Sequence, residues 1–294
     1  MVELTYDEAQ LYNTAVALGK FQGLHKGHLL LIEKILSLSK NEGLNSVVFT
    51  IDINNSKMIN TKQDRKDILE GLNIDTHIEC MFTPEFAAMQ PYEFVKNVLY
   101  HKLGAKYVVV GTDFCFGSNR EGNVDTLKSY EKEFGYKVIA IKKLSIDDNI
   151  ISSSIIRELI ENGDMEAVQE YMGRPYFIQG IVRKGRMLGR TIDFPTTNLY
   201  PPSDKLLPPF GAYETRITIS DKCYKAITNI GNNPTISEDN RITVETHIIN
   251  FDGDLYDNHI KVDFVRFIRE QKRFMDVSEL REQLLLDKAS VMHQ

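Results

Sequence analysis

The stretch Gly19-Lys20-Phe21-Gln22-Gly23-Leu24-His25-Lys26-Gly27-His28 decides how the rest of the chain is read. An apolar run of strand length, Thr14-Ala15-Val16-Ala17-Leu18, precedes it, and Leu29-Leu30-Leu31-Ile32-Glu33-Lys34-Ile35-Leu36 follows with the pattern of a helix start. A turn between a buried strand and a helix gathers unpaired N–H groups and the positive end of the helix dipole at one point, which suits a phosphate. Gly19, Gly23 and Gly27 let backbone come close to a ligand, Phe21 lies among them, and His25 and His28 stand where the helix begins. A glycine in such a turn is common by itself, and two histidines could be a metal pair, but the nearby sequence offers no cysteine or carboxylate cluster to complete one. The stretch reads as a nucleotide-phosphate loop with two histidines over it.

Working outward, Ser46 to Ile51 is a β-branched and aromatic run that reads as a second buried strand, followed by a polar loop from Asp52 to Lys57. Asn60 to Leu72 has helical spacing, Ile74 to Phe82 reads as extended, and Tyr92 to Leu103 reads as a helix with Phe94, Val95, Val98, Leu99 and Leu103 on its apolar side. Lys106 to Gly111 and Tyr136 to Ile141 are further buried strands. Helices alternating with apolar strands imply a parallel sheet covered on both faces, with ligands beyond the carboxyl ends of the strands. Gly19 and Gly111 both fall at such ends. The segment Gly111 to Gly122 carries three glycines, two phenylalanines and Arg120, and reads either as a binding loop or as an apolar turn packed under the sheet. Ser152, Ser153 and Ser154 are N-cap candidates for the helix that follows, and with Arg157 they make a second phosphate clamp.

The chain has 294 residues, enough for two domains, with 42% hydrophobic and 26% charged residues and a net charge of -6. That charge gives no broad footprint for nucleic acid. The three cysteines, Cys80, Cys115 and Cys223, are far apart and form no zinc or disulfide pattern, so a reducing cytoplasm is the expectation. The acidic N-terminus lacks a signal-peptide core, and no apolar run is long enough to cross a bilayer. Glu158 to Met172 reads as helical with a break at Asn162-Gly163, and Gly173-Arg174-Pro175-Tyr176 stops it, so the domains are expected at 1–172 and 173–294. Beyond that boundary come Phe177 to Val182, Tyr213 to Ile219, Tyr224 to Ile230, Ile242 to Phe251 and Ile260 to Ile268, all strand-like. One amphipathic helix follows, Val277 to Ala289, with Leu280, Leu284 and Leu285 on its apolar side. Short strands with polar turns and a terminal helix suggest a small antiparallel barrel. Polar residues gather in Gly185 to Asn198, in the turn Asn229 to Thr235, and at Glu245 and His247, which share one face of a strand. Taken singly these read as a solvated proline turn and ordinary strand positions.

Together the motifs resemble a known family. Gly19-x-Phe21-x-Gly23-x-His25-x-Gly27-His28 with Ser152-Ser153-x-x-Ile156-Arg157 resembles the nucleotidyltransferase superfamily. Gly111-x-Asp113-Phe114-x-Phe116-Gly117, with Arg120 and Gly122, is similar to the FMN adenylyltransferase module of prokaryotic bifunctional FAD synthetases. Pro195-Thr196-Thr197-Asn198, Gly211-Ala212-Tyr213, Asn229-Ile230-Gly231 with Pro234-Thr235, Glu245 with His247, and Phe251 to Tyr256 resemble the riboflavin kinase module. The departures are Gln22 for Asp, the missing prolines after Phe49-Thr50-Ile51-Asp52, Cys115 for Arg, Asn123 for Asp, Asp193 for Gly and Thr197 for Ala.

The resemblance implies a Rossmann-like nucleotidyltransferase domain followed by the barrel. It also implies two reactions: riboflavin with ATP gives FMN, and FMN with ATP gives FAD. At the first module it implies ATP phosphates on Gly19, Phe21, Gly23, His25, His28, Ser152, Ser153 and Arg157. Flavin would meet Asp113, Phe116 and Arg120. At the second module it implies ATP on Gly185, Gly189 and Thr196, Mg²⁺ on Thr196 and Asn198, flavin on Asn229 and Arg269, and Glu245 as general base. The chemistry is consistent with this division. An FMN phosphate is mostly a dianion at neutral pH and needs no base, whereas a ribityl hydroxyl is neutral and is helped by one. His28, Arg157 and Glu245 are therefore the catalytic candidates. Two other readings stay open: a riboflavin kinase whose first module is silent, motivated by Gln22, Cys115 and the missing prolines, and a non-enzymatic flavin-binding regulator, motivated by Asp193 and Thr197. No nucleic acid or membrane partner is expected, and self-association is left open.

Overall fold

The apolar run ahead of the loop is a central strand because both of its faces are covered. Ala15 and Ala17 pack with Leu31, Ile32 and Ile35 in one core, while Val16 and Leu18 pack with Phe94, Val95, Val98 and Leu99 in another. The computed structural model describes residues 1–52, 57–147, 149–185, 194–232 and 241–292, in two units, Met1–Ser153 and Ser154–Gln294.

The first unit runs β1 (Val2–Thr5), β2 (Thr14–Gly19), α1 (Lys26–Glu42), β3 (Asn45–Asp52), α2 (Lys62–Gly71), β4 (Thr76–Met81), α3 (Pro84–Ala88) and α4 (Pro91–Glu93). The chain continues as a π-helix, Phe94–Lys102, then β5 (Ala105–Gly111), a 3-10 turn at Ser118–Arg120, α5 (Val124–Ser129), α6 (Glu131–Phe134) and β6 (Lys137–Ile141). A small hairpin of β7 (Ser145–Ile146) and β8 (Asn149–Ile150) closes it. Six strands form one sheet in the order β1-β4-β3-β2-β5-β6, every pair parallel. The order reverses between β2 and β5, and the register Ala17↔Val109 sets the ends of those two strands, Gly19 and Gly111, side by side. That switch point is where an open parallel sheet has a ligand crevice. The expected strands are all present. β1, which pairs with β4, is an addition, and the expected helix from Tyr92 to Leu103 is mostly π-helix, with Phe94, Val95, Val98 and Leu99 buried.

All but the first residue of α7 (Ser153–Glu161) belongs to the second unit, and α8 (Met165–Met172) follows, separated where expected, with Gly163 at a φ of 77°. β9 (Tyr176–Ile181), β10 (Thr197–Leu199), β11 (Gly211–Ile219), β12 (Lys222–Asn232), β13 (Ile242–Ile248), β14 (His259–Glu270) and α9 (Val277–Met292) follow. The sheet order is β10-β13-β12-β11-β14-β9, antiparallel throughout, and a bridge between Arg183 and Asn198 joins its two ends into the curl of a half-barrel. One face is the interior. There Tyr213 packs edge-on against Phe264, and the buried hydroxyls of Thr215, Thr228 and Thr246 form a chain with 2.8 Å between successive oxygens.

The expected apolar side of the terminal helix is corrected by its docking. Leu280 and Leu284 are only half-buried, Leu285 is exposed, and the buried residues of α9 are Asp287 and Val291. The reason is polar. The Asp287 carboxylate accepts from Arg269 Nη2 at 2.8 Å, Arg266 Nη2 donates to Ser290 O at 2.9 Å, and Lys225 Nζ donates to Val291 O at 2.9 Å. Strand cations grip the end of the helix, and carbonyls at a helix C-terminus favour them.

Candidate functional site

In the first unit the sequence folds the loop around its own rings. His25 is the N-cap of α1, and its Nδ1 accepts the His28 backbone N–H at 3.3 Å. An accepting Nδ1 places the proton of the neutral ring on Nε2. His28, in the first turn, stacks on His25 with ring centres 3.7 Å apart and lies 5.0 Å from the Phe21 ring. Gly27 leaves room for this stack, since a Cβ there would stand 3.2 Å from the His25 ring and press on it. A Cβ on Gly23 would lie 3.8 Å from Ser153 Oγ and 3.5 Å from Ile59, so the structure brings Ser153 to the loop. Phe21 and Leu24 are fully buried and hold φ values of 44° and 43°. Left-handed backbone at bulky residues costs about 1–3 kcal/mol each and persists where the surroundings overdetermine it. The loop at the switch point is therefore strained and fixed. Ser152 lies directly ahead of α7, and Arg157 is carried on α7 in the second unit.

The Gly111 to Gly122 segment packs its apolar side inward and leaves polar residues exposed. Phe116 is buried, with its ring 5.1 Å from Phe94 and 5.8 Å from Phe114, so its side chain belongs to the core. Asp113 is exposed and paired to Lys143 at 2.8 Å, and Arg120 is exposed with a φ of 60°. Cys115 Sγ donates to Asp113 O at 3.6 Å. Asn123 is the N-cap of α5 and accepts from Thr126 N–H at 3.0 Å, a task Asn performs as well as Asp.

Sequence reasoning missed a buried ionic cluster beside the loop. Arg65, 1% exposed, donates to Glu79 at 2.7 Å, with Asp52 at 3.7 Å and Lys62 bridging to the same carboxylates. Glu79 lies below its ordinary range. Its own burial pushes the other way, and hydrogen bonds from Lys62 and Arg65 outweigh it. The available signal was a basic residue on the apolar face of the Asn60 to Leu72 pattern, three and four residues before Ile68 and Leu69.

In the second unit β-sheet register assembles the expected residues. Asn198 on β10 is opposite Glu245 on β13, Glu245 is opposite Asn229 on β12, Asn229 is opposite Ala212 on β11, and Ala212 is opposite Arg269 on β14. Directly paired residues share a face, so these five form one row across the outer side of the sheet. Ala212 leaves the centre of the row low. Arg269 spends Nε and Nη2 on Asp287 and donates from Nη1 to Glu270 O. A side chain at residue 185 would overlap the Asn198 amide, so Gly185 packs directly on it. Around the edge strand, a shallow cleft lies between the Pro195–Thr197 segment, Thr246 and Ile248 of β13, and the loop from Phe251 to Tyr256. Thr196 lines that cleft and sits two residues before Asn198 in the chain; Thr246 and Ile248 line it from the interior face, which alternates with the face that carries the row. Gly189, Asp193 and Asn233-Pro234-Thr235 lie outside the described residues, as does the 53–56 segment where prolines are missing.

No helix among the described residues is long and apolar enough to cross a membrane. The chain matches the family model for FAD synthetase over residues 7–155 and that for riboflavin kinase over residues 172–294. It is 31% identical to the bifunctional riboflavin kinase/FMN adenylyltransferase of Buchnera aphidicola subsp. Schizaphis graminum, covering 94% of this chain and 92% of that one. With the protein of the same description from Listeria monocytogenes it shares 30% identity, covering 97% and 93%. A crystal structure described as a macrolide-efflux protein from Streptococcus pneumoniae superposes with a TM-score of 0.87 at 25% identity, covering all of both chains.

Proposed function

The chain belongs to the bifunctional riboflavin kinase/FMN adenylyltransferase family, and on that premise we propose which of its residues carry the two reactions. It is an enzyme of flavin-cofactor synthesis: riboflavin and ATP give FMN and ADP, and FMN and ATP give FAD and pyrophosphate. We assign the kinase to 173–294 and the adenylyltransferase to 1–172.

The observation that carries the kinase assignment is the row Asn198–Glu245–Asn229–Ala212–Arg269 beside the Thr196 cleft. The nucleotide occupies the cleft with its phosphates at Thr196. The flavin lies along the row over Ala212, between Asn229 and the Arg269 end. The ribityl 5′-hydroxyl meets Glu245, whose carboxylate takes the proton as the oxygen bonds to the γ-phosphorus and the bond to the ADP oxygen breaks. Thr196 and Asn198 supply neutral oxygen donors of the kind Mg²⁺ takes, so the residues fit that ion. Bound there, Mg²⁺ would neutralise the charge on the ATP phosphates.

For adenylyl transfer, a phosphate oxygen of FMN bonds to the α-phosphorus of ATP and pyrophosphate leaves. His28, the first turn of α1 and the hydroxyls of Ser152 and Ser153 stabilise the charge on these phosphates. His25 is the cap that sets the first turn of α1. Asp113 and Arg120, exposed on their loop, are the flavin contacts of this module, and Phe116 supports them from the core. The reading puts the enzyme in the cytoplasm, where unbridged Cys80, Cys115 and Cys223 belong. Nucleic acid and membrane have no part in it.

The test is to incubate the protein with riboflavin, ATP and Mg²⁺ and resolve the flavins by chromatography over time. FMN should rise and give way to FAD. Glu245→Gln should lower FMN formation at least 100-fold while FAD formation from supplied FMN stays intact. His28→Ala should do the reverse. FMN accumulating without FAD in the unmutated protein would sink the adenylyltransferase assignment.

A further inference from the structure

The segment that carries Thr196 has a weak point. β10 begins only at Thr197, so Thr196 lies ahead of the strand ladder, and Pro195 has no N–H with which to anchor itself. What holds this segment is His247. Its ring, 7% exposed, reaches across from β13, and Nδ1 stands 3.0 Å from Pro195 O. A carbonyl only accepts, so Nδ1 carries the proton. The same ring packs on Phe194 with centres 4.8 Å apart. Both residues that lead into Thr196 are therefore gripped by one imidazole. On its far side, Thr197 pairs with Thr246, next to His247 in the chain. Nε2 of His247 is buried and has no hydrogen-bond partner among the described residues. A second proton there would have no acceptor among the described residues, and burial, with Lys288 adding to it, pulls the ring's pKa down.

We propose that His247 is a positioning residue for the kinase step: its Nδ1–H clamps the Pro195 carbonyl and so fixes the Thr196 hydroxyl at the nucleotide cleft. It touches no substrate and is not the base. Glu245, two residues before it on the same strand face, has that role in the reading above, on which this inference rests. One strand face then sets both reaction partners, Glu245 toward the acceptor hydroxyl and His247 toward the segment that receives ATP.

The imidazole allows a clean test, because its two nitrogens can be mimicked separately. Asn carries an N–H donor near the position of Nδ1, Gln carries one near Nε2, and Phe keeps the ring with no donor. His247→Gln and His247→Phe should raise the kinase KM for ATP about tenfold, with kcat and the KM for riboflavin changed less than threefold. His247→Asn should stay within threefold of the unmutated enzyme on all three. FAD formation from supplied FMN serves as the folding control and should not change. An ATP KM left unmoved in both Gln and Phe variants would overturn the proposal, and so would an Asn variant as impaired as the Gln variant. If the Phe variant unfolds, Asn against Gln still decides. Absence of FMN formation in the unmutated enzyme would instead strike the kinase reading itself.

Discussion

His77 sits buried in the centre of a charged neighbourhood, with Nε2 at 3.0 Å from Thr50 Oγ1 and Nδ1 facing Glu3 at 3.8 Å. Burial first, and then the Arg65 cation, pull its pKa from 6.5 to about 4, against the opposing pull of Glu79 and Glu3. The folded state thus binds the proton less readily than the unfolded chain. The resulting stability is full above pH 6.5 and is lost as pH falls from there toward 4, by about 3 kcal/mol in all. Thermal unfolding followed from pH 7.5 to 4.5 should therefore fall more steeply for the natural chain than for His77→Gln. Of these residues, only Arg65 left a trace in the sequence, as a basic residue on the apolar face of its helical pattern. His77 lies in a run of mixed polar and apolar residues, and only the pairing of β4 beside β3 gives it the partner Thr50. Glu245, Asn229 and Asn198 were legible as members of motifs, but their alignment in one row depends on strand register, which a string of residues does not state.

Elements were read well where period and burial agree. β2, β3, β5 and α1 follow from apolar runs covered on both faces or from a single apolar face, and the break between α7 and α8 follows from Gly163. α9 was read correctly in place and wrongly in docking, because its leucines suggested an apolar contact and its real partners lie far off on β12 and β14. The helix is held by cations of the sheet, chiefly Arg269 on the buried Asp287 carboxylate. Removing that charge leaves a guanidinium, 20% exposed in its side chain, with no counter-ion from the helix. Asp287→Asn should lower stability by about 3 kcal/mol, read as a lower urea midpoint of kinase inactivation. It should also weaken riboflavin binding, since the same guanidinium ends the row proposed for the flavin.

For the molecule as a whole, two activities on separate motif sets imply that each can be lost alone. His28→Ala should stop at FMN, and Glu245→Gln should accept only FMN. Mixed in one tube with riboflavin and ATP, the two should together make FAD that neither makes from riboflavin alone, and chromatography of the mixture checks it. The strand order of the first sheet has a different consequence, for the life of the chain before it is finished. β2 lies between β3, which follows at once, and β5, which does not begin until Ala105. While the ribosome is still making the residues in between, Thr14–Gly19 can be paired along one side only. Its other side is a bare row of peptide groups flanked by apolar side chains, which is what a neighbouring nascent chain can pair with. The strand that floors the crevice at the switch point is thus the one most in need of protection during synthesis, and pauses in translation between Asp52 and Gly111 fall in the interval when it is open.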